Sequence, residues 1–316
     1  MNSRMINRTN KRRVAVIGLG DIAQKAYLPL LTRHPEVEIV AVMSRRRETV
    51  DRIQAEYRLP SGCADLAGVF AAEPEAAFIH APTEVHAGLV LDCLRQGLHV
   101  YVDKPLSYDI RESQAMAEAA LARGRLLAVG FNRRFAPLYR QARDFVREAG
   151  AVAYASAEKH RVRQQKQAAK RTLYDDLIHM LDLLVWLAGV GEEPELAGKN
   201  LRISPDGRLL HASGELAAGG LGAHFAMNRT AGSDLERLAL HGAGRSAEIV
   251  NLERGVLSSV PDGERAIGFG SWETMLERRG FAGAIDHFLS SIDQPDRCEI
   301  RADLTLPTHR LVEKLL

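Results

Sequence analysis

The sequence predicts an α/β chain in two parts. A doubly wound parallel sheet comes first, and an α+β unit built on a large open, mainly antiparallel sheet follows. Three observations predict this. The first ~130 residues alternate short apolar runs with helical periods, the pattern of a parallel sheet covered on both faces. Near the start, the apolar run Val14-Ala-Val-Ile17 breaks at once into Gly18-Leu-Gly20-Asp-Ile-Ala23. After Gly130 the chain changes to segments of alternating polarity punctuated by glycine pairs and Asp-Gly steps, which suits antiparallel pairing.

In the first part, strands are expected at 13–17, 38–43, 77–80, 99–102 and 126–129. Helices at 23–31, 49–56, 85–96 and 110–123 separate them. Val85, Leu89, Cys93 and Leu94 mark the docked side of the third helix, while Gly97 and Gly124 stand where a left-handed closing residue is favoured. In the second part, a helix at 138–148 precedes strands at 151–159, 209–216, 221–228, 237–241 and 246–250. A strongly apolar helix at 173–187 is inserted between the first two of these strands, with Leu177, Leu181, Leu184 and Trp186 as packing positions. Helical regions at 272–292 and 302–316 close the chain, the last placed to return to the first part. The expected domains are therefore 1–130 and 131–316.

A chain of 316 residues is long for one core and suits two domains. Its net charge of only +2 gives no electrostatic argument for nucleic acid. No apolar run approaches the roughly 20 residues needed to cross a bilayer. Residues 1–12, with Arg4, Arg8, Lys11 and Arg12, read as a flexible tail with Met5 as an alternative start, because no apolar leader segment precedes Val14. Cys63, Cys93 and Cys298 are far apart and lack C-x-x-C spacing, which suits buried, reduced thiols in a cytoplasmic protein and offers no metal site.

Gly18-x-Gly20-x-x-Ala23 after a buried strand points to a dinucleotide. Gly18 permits the tight turn, Gly20 lets backbone approach a pyrophosphate, and Ala23 allows close helix–strand packing. The N–H groups at Asp21 and Ile22 open the helix toward the phosphates. The second strand ends in Ser44-Arg45-Arg46-Arg47, where an NAD site usually carries a carboxylate. Ser44, Arg45 and Arg46 fit a 2′-phosphate, so NADP(H) is favoured with NAD(H) open; the alternative is a solvated basic turn.

Asp103-Lys104-Pro105 falls at the carboxyl end of a parallel strand, where such sheets bind ligands. Lys104 there suits holding a hydroxyl or relaying its proton, or else is a surface lysine before a turn. Asp175 and His179 share one helix face at i, i+4, the equipment for moving a proton to or from an alcohol; an ordinary helix ion pair is the alternative. Pro82-Thr83-x-x-His86 follows another strand end and suits a nicotinamide ribose contact or a Thr83 N-cap. The basic segment 159–171, with Arg161, Arg163, Lys166, Lys170 and Arg171, reads as a substrate loop or a solvated one.

Taken together, Gly18-Leu-Gly-Asp-Ile-Ala23, Asp103-Lys104-Pro105 and Asp175-x-x-x-His179-x-x-Asp182 resemble the Gfo/Idh/MocA oxidoreductase family. The segments Val102-Asp-Lys-Pro-Leu106, Gly130-Phe-Asn-Arg-Arg-Phe-Ala-Pro137 and Glu277-Arg-Arg-Gly-Phe281 are similar to its MviM-like branch, whose members carry a virulence-factor label. The resemblance implies a Rossmann domain and a second domain whose open sheet forms dimer or tetramer contacts. It also implies NAD(P)-dependent hydride transfer at a carbinol or carbonyl of a sugar, cyclitol or related polyol. Lys104, Asp175 and His179 inherit the catalytic roles, and the Lys104–Pro105 peptide is expected to be cis. Asn132, Arg133 and Lys159 complete the expected substrate-binding set. The family also contains NAD-assisted lyase and glycosidase chemistry, and a cofactor-binding sensor without turnover is the remaining alternative. Two departures stand out: Asp103 replaces the usual glutamate, and Asp176-Leu177 replaces a common Leu-Gly, filling space beside the substrate.

Overall fold

Residues 11–189 and 192–316 are described by the structure, a computed structural model. Arg4, Met5 and Arg8 lie outside the described residues. Six parallel strands form the first sheet: β1 Arg12–Ile17, β2 Val37–Met43, β3 Gly62–Cys63, β4 Ala76–Ile79, β5 His99–Val102 and β6 Leu127–Val129. Their order is β3-β2-β1-β4-β5-β6, so the direction of winding reverses between β1 and β4. A ligand crevice belongs at the carboxyl ends of those two strands. Val14–Ile17 and Ala76–Ile79 are buried on both faces, which explains why they read as unbroken apolar runs rather than alternating ones.

Arg12 already pairs with Val37 in β1, so the expected tail is too long at that end. The two-residue β3 and the helix Leu66–Ala71 were not anticipated, since so short a strand carries no period. The third expected helix begins as a 3-10 turn over Thr83–Val85 and continues as His86–Arg95. That tighter turn shifts the phase: His86, Val90, Cys93 and Leu94 form the buried side, and Val85 is exposed. Pro82, not Thr83, stands at the cap of that turn, so the expected Thr83 N-cap is not formed.

Eight strands form the second sheet: β7 Tyr154–His160, β8 Glu195–Ile203, β9 Leu209–Ala218, β10 Leu221–Asn228, β11 Leu235–Gly242, β12 Arg245–Val250, β13 Arg254–Ser259 and β14 Gly263–Gly268. Their order is β14-β13-β12-β11-β7-β10-β9-β8, antiparallel except where β7 meets β10. Three of these strands escape sequence reading. β8 and β14 are edge strands with mostly exposed side chains, and β13 buries Gly255 and Ser259 while exposing Val256, so hydrophobic alternation is weak. Helices Pro137–Arg147 and Ile178–Ala188 pack against the sheet.

The expected apolar helix is a composite: an α-turn over Ala169–Thr172, a π-turn over Leu173–Leu177, then Ile178–Ala188. The 272–292 region is also broken. Met275–Arg278 and Phe281–Ser291 are separated by Gly280 at φ 80°, and Trp272 lies outside both helices, exposed. The final helix, Ala302–Leu315, packs on Ile110–Ala122 of the first part and on Ile178–Ala188 of the second. The Leu106 N–H donates to its His309 ring (3.1 Å), and the Val129 N–H donates to the Ile300 carbonyl (2.8 Å). The chain's end thus ties both sheets together.

Candidate active site

The glycine corner is sterically committed. Gly18 has φ 90°, and a Cβ there would lie 2.5 Å from the Ala81 nitrogen. A Cβ on Gly20, by contrast, would meet nothing within 4 Å. One glycine is needed for the turn, and the other leaves open space over the helix start, the arrangement that fits a diphosphate. Ala23 is fully buried against the sheet. Asp21 is exposed and pairs with Lys25 at 2.6 Å. At the end of β2, Arg45 and Arg46 are exposed, while Arg47 is occupied by Asp51 at 2.9 Å. The Ser44 hydroxyl accepts from the Arg46 N–H.

A cleft of about 630 Å³ opens beside this corner, at the carboxyl ends of β4 and β5. It brings together Ile22, Pro82, Thr83, Asp103 and Lys104 from the first part with Asn132, Arg133, Asp175 and His179 from the second. The two π-turns, over Ala23–Tyr27 and Leu173–Leu177, both contribute residues to its wall.

Lys104 precedes a cis peptide to Pro105, and its ammonium donates to the Asp175 backbone carbonyl. Burial, and then the nearby Lys159 ammonium, push its pKa down to about 8. Asp103 receives the His80 ring at 2.9 Å, and Tyr27 stacks on His80 with centroids 3.8 Å apart. Burial, the largest single cause, would raise the Asp103 carboxyl, but His80, Tyr27 and His86 together outweigh it and the net shift is downward. His86 lies beneath the wall, with ring nitrogens 2.9 Å from the Ala81 carbonyl and 3.0 Å from the Pro105 carbonyl. It clamps the Lys-Pro loop to the turn after β4.

The Asp175 carboxylate is taken by other donors than expected. The Tyr108 hydroxyl and the Gln167 amide each donate to it at 2.8 Å, and no hydrogen bond joins it to His179 among the described residues. His179 is buried, and its Nδ1 has no partner among the described residues. Burial and then the charges of Lys104, Lys159, Arg133 and Arg161 hold its pKa well below the ordinary histidine value.

Beneath the cleft lies a buried ion cluster. Arg133 clasps Glu236 through two bonds, of 2.7 and 3.3 Å. Lys159 pairs with Asp176 at 2.5 Å, and Arg229 also reaches Asp176. Burial would raise both carboxyls, yet Lys159 holds Asp176 at about 2 and Arg133 holds Glu236 at about 2. Two expectations are corrected here. Lys159 is an inward residue of β7 rather than part of a loop, and it does not line the cleft. Asp176 turns into the cluster and Leu177 into the core, so neither fills space beside a substrate. Asp182 is structural: it meets Arg134 through bonds of 2.8 and 2.6 Å, with both side chains fully buried.

Of the expected loop segment 159–171, Gln167 and Arg171 line the cleft; sequence reading missed Tyr108 and gave no role to Arg279 or Phe281, which line it too. The Glu277-Arg-Arg-Gly-Phe281 segment held the one usable signal, a glycine between charged and aromatic residues. Among the described residues no group of three metal-ligating side chains is assembled, and no helix is long and apolar enough to cross a membrane.

Known proteins share this sequence pattern and fold. Residues 12–131 match the model of the oxidoreductase family with an NAD-binding Rossmann fold, Gfo/Idh/MocA, and residues 137–258 match a YceM-like C-terminal domain. The protein YceM of Salmonella typhimurium is 33% identical over 96% of both chains. The chain belongs to the Gfo/Idh/MocA oxidoreductase family. Within that family, a Clostridium difficile dehydrogenase (MviM) of known structure is 28% identical with a TM-score of 0.88, covering 96% of this chain and 98% of that one. The scyllo-inositol 2-dehydrogenase (NAD+) of Bacillus subtilis is 29% identical over 44% of this chain and 41% of its own. The protein is thus a nicotinamide-dependent dehydrogenase or reductase of this family's MviM-like branch.

Proposed function

We propose that the chain interconverts a carbinol and the corresponding carbonyl of a sugar, cyclitol or related polyol by hydride transfer, with NADP(H) preferred over NAD(H). One observation carries the reading: Lys104 and His179, from different domains, face one cleft that also borders the glycine corner. The cofactor, seated by Gly18, Gly20 and the helix start at Asp21 and Ile22, supplies hydride acceptance and donation. Arg45 and Arg46 support the NADP(H) preference, since both are exposed where a ribose-binding carboxylate is absent.

Lys104 is the group suited to move the hydroxyl proton. Its pKa of about 8 lets it exchange a proton near neutrality, and its bond to the Asp175 carbonyl fixes its position. His179, kept neutral, serves as a hydrogen-bond partner for the same or a neighbouring hydroxyl. Asp175, held by Tyr108 and Gln167, orients the substrate and not the imidazole. The partly apolar open sheet, with Tyr154 and Val256 exposed, is the surface on which we place self-association into a dimer or tetramer. Light scattering checks that assignment.

The decisive assay follows cofactor absorbance against a polyol panel. The wild type should oxidise at least one member, and Lys104→Ala should lower kcat by roughly 10²–10⁴-fold with cofactor affinity unchanged. Wild-type rates in Lys104→Ala would refute the assignment.

A further inference from the structure

The charges around the cleft do not balance. Lys104, Arg133, Arg171 and Arg279 line it, and the first three have partners: the Asp175 carbonyl, Glu236 and Glu84 respectively. The lining carboxylates are satisfied too: Glu84 by Arg171, Asp103 by His80, and Asp175 by Tyr108 and Gln167. Arg279 forms no ion pair among the described residues, and the carboxylate whose charge reaches it, Glu236, is already held by Arg133. Beneath the floor, Lys159, Arg161 and Arg229 join Arg133 around only two carboxylates, Asp176 and Glu236. A half-enclosed site with surplus positive charge focuses its field on whatever enters.

The position of Arg279 is built into the fold. The Asn132 amide donates to the Arg279 carbonyl at 2.8 Å. Gly280 follows at φ 80°, and a Cβ there would lie 2.1 Å from the Asn132 carbonyl oxygen and 2.6 Å from the Ala136 nitrogen. Only glycine lets this turn press on the segment that carries Arg133. The backbone of Arg279, an exposed residue, is thereby held beside the segment of Arg133, and both side chains line the cleft. His179 supplies an independent sign that a ligand belongs there. It is only 7% exposed, it lines the same cleft, and its Nδ1 is without a partner among the described residues.

We propose that the substrate is an anionic polyol, a sugar or sugar-like molecule bearing a carboxylate or phosphate, with its acidic group received by Arg279 beside Arg133. This deepens the polyol reading and rests on it for the hydroxyl-bearing part of the molecule. Arg279 contributes the free donors, since Arg133 is already shared with Glu236. A substrate anion also offsets the four cations that face His179, although burial, the larger cause, still holds that ring's pKa down. Neutral sugars leave those charges uncompensated, which is the basis of discrimination.

Calorimetric titration of the NADP-loaded full chain tests this without requiring turnover. The probes are a hexuronate, an aldonate, a hexose 6-phosphate, the matching neutral hexose and inorganic phosphate. At least one sugar acid or sugar phosphate should bind roughly 10–100-fold more tightly than the neutral hexose, and the carboxylate and phosphate arms tell the two headgroups apart. Arg279→Gln should remove that preference, Arg279→Lys should keep part of it, and NADP affinity should be unchanged in both. Neutral hexose binding as tightly as every acid overturns the proposal. So does an unchanged preference in Arg279→Gln, inorganic phosphate matching the sugar acids, or binding of no sugar of either class. Acid-selective binding without any cofactor reduction would sink the dehydrogenase reading and leave this inference standing. Oxidation of a neutral polyol without acid preference would do the reverse.

Discussion

The glycine corner after β1 and the charged floor beneath His179 are built in opposite ways. The corner is made of backbone and small residues adjacent in sequence: Gly18, Gly20 and Ala23. Its function follows from space, with one glycine pressed against Ala81 and the other open to a ligand. The floor is made of long charged side chains from separate elements, Arg133, Lys159, Asp176, Arg229 and Glu236, and its properties follow from burial. A local steric site tolerates change around it. A distributed buried one passes each lost charge to its neighbours. The difference teaches where each half is vulnerable: the first in affinity for its cofactor, the second in folding and in proton chemistry.

That contrast is open to direct attack. The largest effect is expected in the second half. Glu236→Ala leaves the buried Arg133 guanidinium without its carboxylate and should cost about 3–5 kcal/mol in a denaturant titration. A loss below about 1 kcal/mol, the range of an exposed pair, would erase the distinction between the two regions. In the first half, Arg45→Ala together with Arg46→Ala should weaken NADP(H) by roughly 10–100-fold, with NAD(H) affinity and thermal stability little changed. Equal weakening of both cofactors would make the arginines a solvated turn.

The smallest and sharpest effect concerns pH. Because the Lys104 pKa is depressed to about 8, the neutral amine that accepts a hydroxyl proton accumulates as pH rises through that value. Oxidation should therefore climb through about 8 and level off above it, while reduction, which needs the ammonium, should fall over the same interval. Lys104→Ala should abolish that inflection in whatever activity remains. An inflection that survives the substitution would assign the proton transfer elsewhere.

Legibility in the sequence divides along the same line. The buried strands of the first sheet, the glycine corner, Lys104 at the end of β5 and His179 on the apolar helix were all readable, because each is encoded by neighbours in the chain. β8 and β14 were not, since edge strands have no second face to bury and so no alternation. Spacing suggested that Asp175 would orient His179; the donors that intercept it, Tyr108 and Gln167, lie outside that i, i+4 pair. The role of Lys159 depended on strand register: one residue either way along β7 would have turned it away from the floor. Arg279 needed the tertiary approach that Gly280 permits.

A crystal structure with NADP and a soaked sugar acid tests the central claim most directly. The account predicts the diphosphate against Gly18 and Gly20, and the nicotinamide ring inside the cleft, with a substrate hydroxyl within hydrogen-bond reach of both Lys104 and His179. A ring bound outside that cleft, or a sugar whose hydroxyls reach neither side chain, would contradict it.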